Sequence, residues 1–155
     1  MKVFFPGSFD PFTLGHADLV KRALNMGFEV VIGVGVNSDK HCTFTTTERV
    51  MAIREYYAKN IKVSVNSYEG LTANAAKENG CCAILRGVRN GGDYEYEKSI
   101  FSINQTYFGM ETILLPSKPM YQDISSSMVR EISKYGDASS FVIDTFKKFY
   151  EKKSK

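Results

Sequence analysis

The sequence is poor in cysteine and contains no long apolar run, and both absences narrow the classes of protein to which it can belong. Its three cysteines, Cys42, Cys81 and Cys82, lack the spacing of a metal site. An odd number of cysteines that includes an adjacent pair also argues against a disulfide framework. No apolar stretch approaches the ~20 residues of a membrane span. Because a strand-like run begins at once, we expect no signal peptide, a cytoplasmic protein and no membrane partner.

Internal repeats, low-complexity segments and interdomain linkers are also absent, so we expect a single domain over residues 1–155. No Gly-x-Gly-x-x-Gly pattern follows the first apolar run, which argues against a dinucleotide redox cofactor. The net charge of +3 is mild. We interpret the basic cluster near the C-terminus as a solvated face that binds no nucleic acid; it comprises Lys147, Lys148, Lys152, Lys153 and Lys155.

What the sequence does contain is a regular alternation of short apolar runs with helical patterns. Its 43% hydrophobic and 13% aromatic residues exclude a disordered chain. We predict strands over residues 2–6, 28–36, 61–65, 82–85 and 112–115. We predict helices over 16–26, 45–59, 71–78, 93–108 with Asp93 as the cap, from 125–127 to about 135, and over 138–152. This alternation is typical of an α/β fold with a doubly wound parallel sheet.

The stretch from Gly7 to His16 joins the first predicted strand to the first predicted helix. Gly7 and Gly15 allow the backbone to approach a ligand, and the free N–H groups of a helix N-terminus attract phosphate. His16 falls in the first helical turn and can donate a hydrogen bond to a phosphate oxygen, beside two small hydroxyl residues, Ser8 and Thr13. The pattern favours a phosphate site over its alternative, an ordinary strand-to-helix connection with a surface histidine.

Three motifs carry a family resemblance over essentially the whole chain. Thr13-Leu14-Gly15-His16 resembles the His/Thr-x-Gly-His signature of a nucleotidyltransferase superfamily, and Ile124-Ser125-Ser126-Ser127-Met128-Val129-Arg130 resembles its second signature. The preceding Gly7-Ser8-Phe9-Asp10-Pro11, with Arg86-Gly87-Val88-Arg89 and the acidic segment after it, is similar to the phosphopantetheine adenylyltransferases of bacterial coenzyme A synthesis. The resemblance implies a Rossmann-like nucleotidyltransferase fold, a five-stranded parallel sheet of order 3-2-1-4-5 whose first and fourth strands flank the ligand crevice.

The resemblance also implies an activity. It is the reversible transfer of the adenylyl group of ATP to 4'-phosphopantetheine, giving dephospho-coenzyme A and pyrophosphate, with Mg²⁺ accompanying ATP. A phosphate nucleophile is already anionic at neutral pH, so this reaction needs alignment and positive charge instead of a general base. The family further suggests a homohexamer, with coenzyme A as a candidate feedback inhibitor, and we assign no protein ligand to the metal.

Matched residue by residue, the resemblance implies three catalytic residues: His16, which stabilises the transition state at the α-phosphate, Lys40 and Arg89. The implied ATP-binding residues are Ser8, Phe9, His16, Gly87, Val88, Arg89, Glu97, Tyr121, Gln122, Asp123, Ile124, Ser125, Ser126 and Ser127. The implied phosphopantetheine-binding residues are Ser8, Lys40, Leu71, Thr72, Arg86 and Asn104.

Taken alone, several of these residues have plainer interpretations. Lys40 would be a solvated loop residue, Glu97 part of a solvated first helical turn, and Ser125 to Ser127 simple N-cap residues. The residues assigned to the pantetheine arm could equally be core. Two functional rivals also remain: a sister nucleotidyltransferase acting on another phosphate, such as glycerol phosphate or nicotinamide mononucleotide, and a non-catalytic nucleotide sensor. A sister enzyme would lack the 86–89 segment, and a sensor would have lost His16 or the serine signature.

Overall fold

The computed structural model describes residues 1–151, in which five strands alternate with six helices. The strands are β1 (Lys2–Gly7), β2 (Glu29–Gly35), β3 (Val63–Tyr68), β4 (Ala83–Val88) and β5 (Glu111–Pro116). The helices are α1 (Leu14–Asn25), α2 (Thr46–Tyr56), α3 (Thr72–Glu78), α4 (Gly91–Phe108), α5 (Ser126–Ser133) and α6 (Asp144–Tyr150). Short 3-10 turns cover Pro119–Tyr121 and Ser139–Phe141.

All strands belong to one sheet of order β3-β2-β1-β4-β5, and every neighbouring pair is parallel. This confirms the predicted fold class and strand order. Successive side chains of the central strand β1 alternate between faces, so Val3 and Phe5 enter the larger core while Phe4 enters a smaller one beside α3. Since the winding direction reverses between β1 and β4, the carboxyl ends of these two strands open a crevice.

Several predicted boundaries were wrong for identifiable reasons. β4 runs to Val88, so most of the segment 86–89 is strand and not the predicted loop. α2 ends at Tyr56 and not at 59, and β3 begins at Val63 and not at 61. A turn around Asn60 separates them: the Asn60 N–H donates to the Tyr57 carbonyl at 2.8 Å, and Ile61, counted as strand because it is β-branched, is 99% exposed.

The predicted C-terminal helix over 138–152 is interrupted. Val142 is extended and forms an isolated antiparallel bridge with Thr13, and both Val142 and Ile143 are fully buried. Burying these two residues against the start of α1 outweighs a continuous helix, so only α6 is helical beyond them. The predicted end of that helix at Lys152, and part of the basic cluster, lie outside the described residues. No helix among the described residues is long and apolar enough to cross a membrane, and the three cysteines are free thiols.

Candidate active site

The loop between β1 and α1 forms one wall of the crevice. Phe9 adopts a left-handed backbone conformation, with φ of 50°, and its ring folds back over Gly7. A Cβ atom at position 7 would lie 2.7 Å from that ring, closer than any normal contact. Packing against Phe9 therefore requires glycine at position 7. Gly7 also lines the crevice, and its expected role in admitting a ligand stays a prediction.

α1 begins at Leu14, two residues earlier than predicted, because Thr13 caps it in a reciprocal arrangement with His16. The Thr13 hydroxyl accepts from the His16 N–H at 3.4 Å, and the Thr13 N–H donates to His16 Nδ1 at 3.0 Å. Since Nδ1 accepts this backbone hydrogen bond, the proton of the neutral ring is on Nε2. The cap therefore selects one tautomer and leaves Nε2–H as the free donor.

The surroundings of His16 keep its ring uncharged. The aromatic rings of Phe9 and Phe12 have their centroids 5.1 and 5.2 Å from that of His16, and Phe5 lies behind them. Burial, reinforced by the positive charges of Arg86 and Arg89, lowers the pKa of His16 to about 3. At neutral pH His16 can donate a hydrogen bond through Nε2, and it is poorly suited to accept a proton.

A cavity of about 540 Å³ opens beside His16, between the β1–α1 loop, the end of β4 and the start of α5. Most of the predicted ATP-binding residues line it: Ser8, Phe9, His16, Gly87, Arg89, Glu97, Tyr121, Ile124, Ser125, Ser126 and Ser127. Three of the predicted residues, Val88, Gln122 and Asp123, are not among its lining. Gln122 contacts the lining, because its Nε2 donates to the Arg89 carbonyl at 3.1 Å.

The three serines at the start of α5 are already engaged with protein groups. The Ser125 hydroxyl caps the helix by accepting from the Met128 N–H at 3.1 Å, and the Ser126 hydroxyl donates to the Pro11 carbonyl at 2.8 Å. The Ser127 hydroxyl accepts from Arg130 at 3.2 Å and keeps its own proton. Ser125 therefore caps α5, as the plainer interpretation has it, but it keeps its own proton as Ser127 does. The donors left for an anion are the hydroxyl groups of Ser125 and Ser127 and the first free N–H groups of α5.

Arg86 and Glu97 form an ion pair that neither interpretation of Glu97 anticipated. Arg86 donates to Glu97 Oε1 through Nε at 2.9 Å and through Nη2 at 2.7 Å, and its Nη1 donates to the Pro6 carbonyl at 2.9 Å. Glu97 is only 5% exposed, so it is not part of a solvated helix turn. Its carboxylate orients Arg86 at the bottom of the crevice.

Arg89 and the start of α4 also differ from expectation. Asn90, not Asp93, caps α4, because the Asn90 side chain accepts from the Asp93 N–H at 2.9 Å. Asp93 instead accepts from Arg89 Nε at 3.0 Å. Burial opposes ionisation of Asp93, but the hydrogen bonds and charge of Arg89 outweigh it and lower the pKa of the carboxyl. Asp93 thereby holds the exposed Arg89 at the mouth of the cavity.

A second cavity of about 590 Å³ adjoins the first on the side of α3 and α4. All the predicted phosphopantetheine residues line it: Ser8, Lys40, Leu71, Thr72, Arg86 and Asn104. Leu71 is exposed, Asn104 is buried, and the Thr72 hydroxyl is hydrogen-bonded to the Tyr68 phenol at 3.0 Å. Ser8, Lys40 and Arg86 line both cavities, so the two spaces meet at these side chains.

Sequence reasoning missed three polar residues that support this site. Asp10 accepts from the Thr43 and Phe44 N–H groups at 2.8 and 2.9 Å, and Arg130 donates to the Asp10 carbonyl at 2.7 Å. Arg49 is buried and bonds several backbone carbonyls. A signal for Arg49 was available, because it precedes the buried Ile53 by four residues and so shares its helical face. Among residues 1–151, no three His, Cys, Asp or Glu side chains come close enough to share a metal ion.

Comparison with known proteins agrees with this geometry. Residues 4–132 match the family described as Cytidylyltransferase-like. A phosphopantetheine adenylyltransferase of Oenococcus oeni is 43% identical over 157 residues, covering 100% of this chain and 99% of that protein. The chain belongs to the phosphopantetheine adenylyltransferase family. Another relative of that name, from Phocaeicola vulgatus, is 43% identical over 147 residues, covering 94% of this chain and 97% of the relative.

Solved structures resemble this chain in fold alone. A bifunctional NMN adenylyltransferase/ADP ribose pyrophosphatase of Francisella tularensis superposes with a TM-score of 0.64 at 16% identity. The match covers 91% of this chain and 44% of that one, so this chain spans less than half of the bifunctional protein. The family resemblance inferred from the three motifs is confirmed, and the protein is a nucleotidyltransferase.

Proposed function

We propose that this protein transfers the adenylyl group of ATP to 4'-phosphopantetheine, forming dephospho-coenzyme A and releasing pyrophosphate. The observation that carries the proposal is the pair of adjoining cavities whose common wall contains Ser8, Lys40 and Arg86. A reaction that joins two phosphates needs two neighbouring binding spaces with positive charge where they meet. Membership of the family supplies the identity of the two substrates.

In the proposed reaction a phosphate oxygen of 4'-phosphopantetheine attacks the α-phosphorus of ATP in line. A new P–O bond forms on that side while the bond to the bridging oxygen breaks, and pyrophosphate leaves with the electron pair. Negative charge grows on the α-phosphoryl oxygens and on the leaving group. The protein accelerates this step by aligning the phosphates and by placing donors that need no reorganisation.

We assign the nucleotide side to His16, Arg89 and the start of α5. The free Nε2–H of His16 donates to an α-phosphoryl oxygen. Arg89, held by Asp93, and the N–H groups with Ser127 at the α5 terminus face the β- and γ-phosphates. Mg²⁺ enters as part of the Mg-ATP substrate, bound to its phosphates.

We assign the acceptor side to the charges of the common wall and to the second cavity. Lys40 and Arg86 hold the acceptor phosphate together with Ser8. Lys40 makes no ion pair with any residue in the described part of the chain, so its ammonium is available for a substrate anion. The pantetheine arm extends past Leu71, Thr72 and Asn104, which line the remainder of that cavity.

The test is pyrophosphate release from Mg-ATP with a panel of acceptors: 4'-phosphopantetheine, unphosphorylated pantetheine, glycerol 3-phosphate and nicotinamide mononucleotide. We expect turnover with 4'-phosphopantetheine, formation of dephospho-coenzyme A, loss of turnover when Mg²⁺ is chelated, and no reaction with pantetheine. Preference for one of the other phosphates would identify a sister enzyme. Nucleotide binding without turnover on any acceptor would identify a sensor.

The quaternary structure and regulation are also proposals from the family. We propose a cytoplasmic homohexamer in which the whole chain forms one domain. An exposed apolar stripe along one face of α4 offers a surface for a second copy; it comprises Tyr96, Ile100, Ile103 and Tyr107. Light scattering of the purified protein tests the hexamer, and a Tyr107→Glu change in the stripe should shift it toward smaller species.

We further propose coenzyme A as a feedback inhibitor. Coenzyme A carries the same pantetheine arm as the acceptor, so it can occupy the cavity beside Leu71 and Thr72. Inhibition should therefore be competitive with 4'-phosphopantetheine. Inhibition that does not depend on acceptor concentration would place coenzyme A elsewhere.

A further inference from the structure

Arg49 is a buried cation for which the described residues offer no carboxylate within ion-pair distance. It is 3% exposed and lies on the face of α2 that packs against the sheet. Burying a guanidinium without an anionic partner is costly, so its hydrogen bonds must compensate. Three of its four hydrogen bonds go to backbone carbonyl groups.

The guanidinium joins three separate segments at the edge of the crevice. Nε donates to the Phe44 carbonyl at 3.2 Å, and Nη1 donates to the Ser8 carbonyl and, at 3.4 Å, to the Gly35 carbonyl. Nη2 donates to the Thr46 hydroxyl at 3.1 Å. Gly35 ends β2 and Phe44 immediately precedes the cap of α2, so one side chain holds both ends of the segment 36–43.

That segment carries Lys40, and the third carbonyl belongs to Ser8. Both residues line the wall common to the two cavities. At its first residue the Val36 N–H donates to the Tyr68 carbonyl at 2.9 Å, but between the two ends the described backbone bond is local, from the Lys40 N–H to the Asn37 carbonyl at 3.1 Å. The position of Lys40 relative to Ser8 therefore depends on how the two ends of the segment are held, which is what Arg49 does together with Asp10.

We propose that Arg49 is a positioning residue that sets the placement of Lys40 relative to Ser8 for capture of the acceptor phosphate. The inference rests on the proposed function. Lysine at position 49 would keep the charge but has its donors on a single nitrogen, whereas Arg49 bonds the three carbonyls from two nitrogens of a planar fork, so lysine cannot reproduce the arrangement. Arg54 is the matched control, because it lies on the same helix and donates to the Val65 carbonyl at 2.9 and 2.8 Å, away from both cavities.

The test is a double-substitution cycle in the full chain, with kcat, KM for 4'-phosphopantetheine and binding of a non-hydrolysable ATP analogue as readouts. We expect Arg49→Lys to lower kcat/KM for 4'-phosphopantetheine at least tenfold while ATP-analogue affinity stays within threefold. In a Lys40→Ala background, Arg49→Lys should lower kcat/KM for 4'-phosphopantetheine by threefold at most, because Arg49 acts through Lys40. Arg54→Lys should stay within twofold of the parent.

If Arg49→Lys lowers kcat/KM for 4'-phosphopantetheine by the same factor in the parent and in the Lys40→Ala background, Arg49 is a merely structural residue and the proposal is overturned. The same holds if ATP-analogue affinity falls by as large a factor as kcat/KM. If Arg49→Lys does not fold, Thr46→Val decides instead, since it removes only one acceptor of the guanidinium. A two- to fivefold fall in kcat/KM for 4'-phosphopantetheine in Thr46→Val, absent when Lys40 is also alanine, supports the proposal. An unchanged kcat/KM in Thr46→Val overturns it. An inactive parent protein would instead refute the proposed function.

Discussion

The two loops that carry His16 and Lys40 are built in opposite ways. The β1–α1 loop is held throughout: Thr13 and His16 bond each other reciprocally, aromatic rings enclose the imidazole, and distant groups bond the carbonyls of Asp10 and Pro11. The segment 36–43 is mostly exposed and is tied at its ends, by Arg49 and by Asp10. Lys40, near the middle of this segment, is exposed.

This difference matches two different chemical tasks. In the proposed reaction His16 presents one donor, in one tautomer, to charge that develops only in the transition state, and a fixed donor is most effective there. In the same proposal Lys40 meets a substrate that arrives and departs, and a long ammonium on an exposed segment can do so without a fixed partner. The comparison predicts that changes at His16 act on kcat and changes at Lys40 act on KM.

The largest effect is expected from His16→Ala. Loss of one preorganised donor costs about a hundred- to a thousandfold in kcat, and ATP affinity should stay within a few fold because the donor acts mainly in the transition state. The measurement is steady-state turnover together with equilibrium binding of an ATP analogue. His41→Ala, which alters the other histidine of the chain, is the comparison variant. Turnover of folded His16→Ala within threefold of the parent would make His16 a structural residue.

Lys40→Ala should raise KM for 4'-phosphopantetheine by roughly ten- to a hundredfold, the loss of one charged hydrogen bond, with little change in thermal stability. Arg86→Ala should weaken acceptor binding similarly, but it also leaves the buried Glu97 carboxylate without its partner. We therefore expect Arg86→Ala to cost about 1–3 kcal/mol in the free energy of unfolding. Denaturant melts of both variants measure this contrast, and equal stabilities would contradict the role assigned to Glu97.

A smaller effect is expected from Thr13→Val. The change removes the hydroxyl that caps α1 but keeps the Thr13 N–H that bonds Nδ1 of His16. Loss of the cap should cost about 1 kcal/mol of stability, and kcat should fall a few-fold as the imidazole gains freedom. Thr13→Ser retains the oxygen and should resemble the parent in both. If Thr13→Val lowers kcat as far as His16→Ala does, the backbone bond alone does not orient the ring.

The sequence was informative where function depends on residues within one motif. Thr13, Gly15 and His16 come from four consecutive residues, and their family pattern led to the crevice and its strand order. It was uninformative where a contact joins distant segments. The bond from Ser126 to the Pro11 carbonyl spans 115 residues, and the partner of Glu97 is on another element. That Ser126, and neither Ser125 nor Ser127, spends its hydroxyl proton inside the protein is therefore decided by tertiary packing.

The local sequence pattern also gave a wrong helix prediction where burial in the core outweighed helix propensity. The interruption before α6 arises because Val142 and Ile143 are needed in the core, and nothing in their neighbours marks a helix break. Arg49 illustrates the opposite case. Its place on the buried face of α2 was readable from spacing, but the three carbonyls that it holds belong to segments that the fold alone brings together.

We propose that His16 donates a hydrogen bond and never accepts the reaction's proton, and the dependence of the rate on pH distinguishes these two roles. In the folded protein the pKa of His16 lies near 3, well below its ordinary value of about 6.5, so the ring stays neutral throughout the range from pH 5 to 9. The acidic limb of the profile should instead follow the second ionisation of the bound acceptor phosphate, whose pKa is near 6 in solution and is lowered in the complex by the proposed contacts with Lys40 and Arg86.

The measurement is kcat against pH for the parent, His16→Ala and His41→Ala, with Mg-ATP and 4'-phosphopantetheine saturating and chemistry shown to limit the rate. We predict that the residual activity of His16→Ala rises with pH through the same limb as the parent, displaced downward by a constant factor. His41→Ala should keep that limb as well. A flat profile in His16→Ala beside a sloped one in the parent would contradict the account and make His16 a proton acceptor.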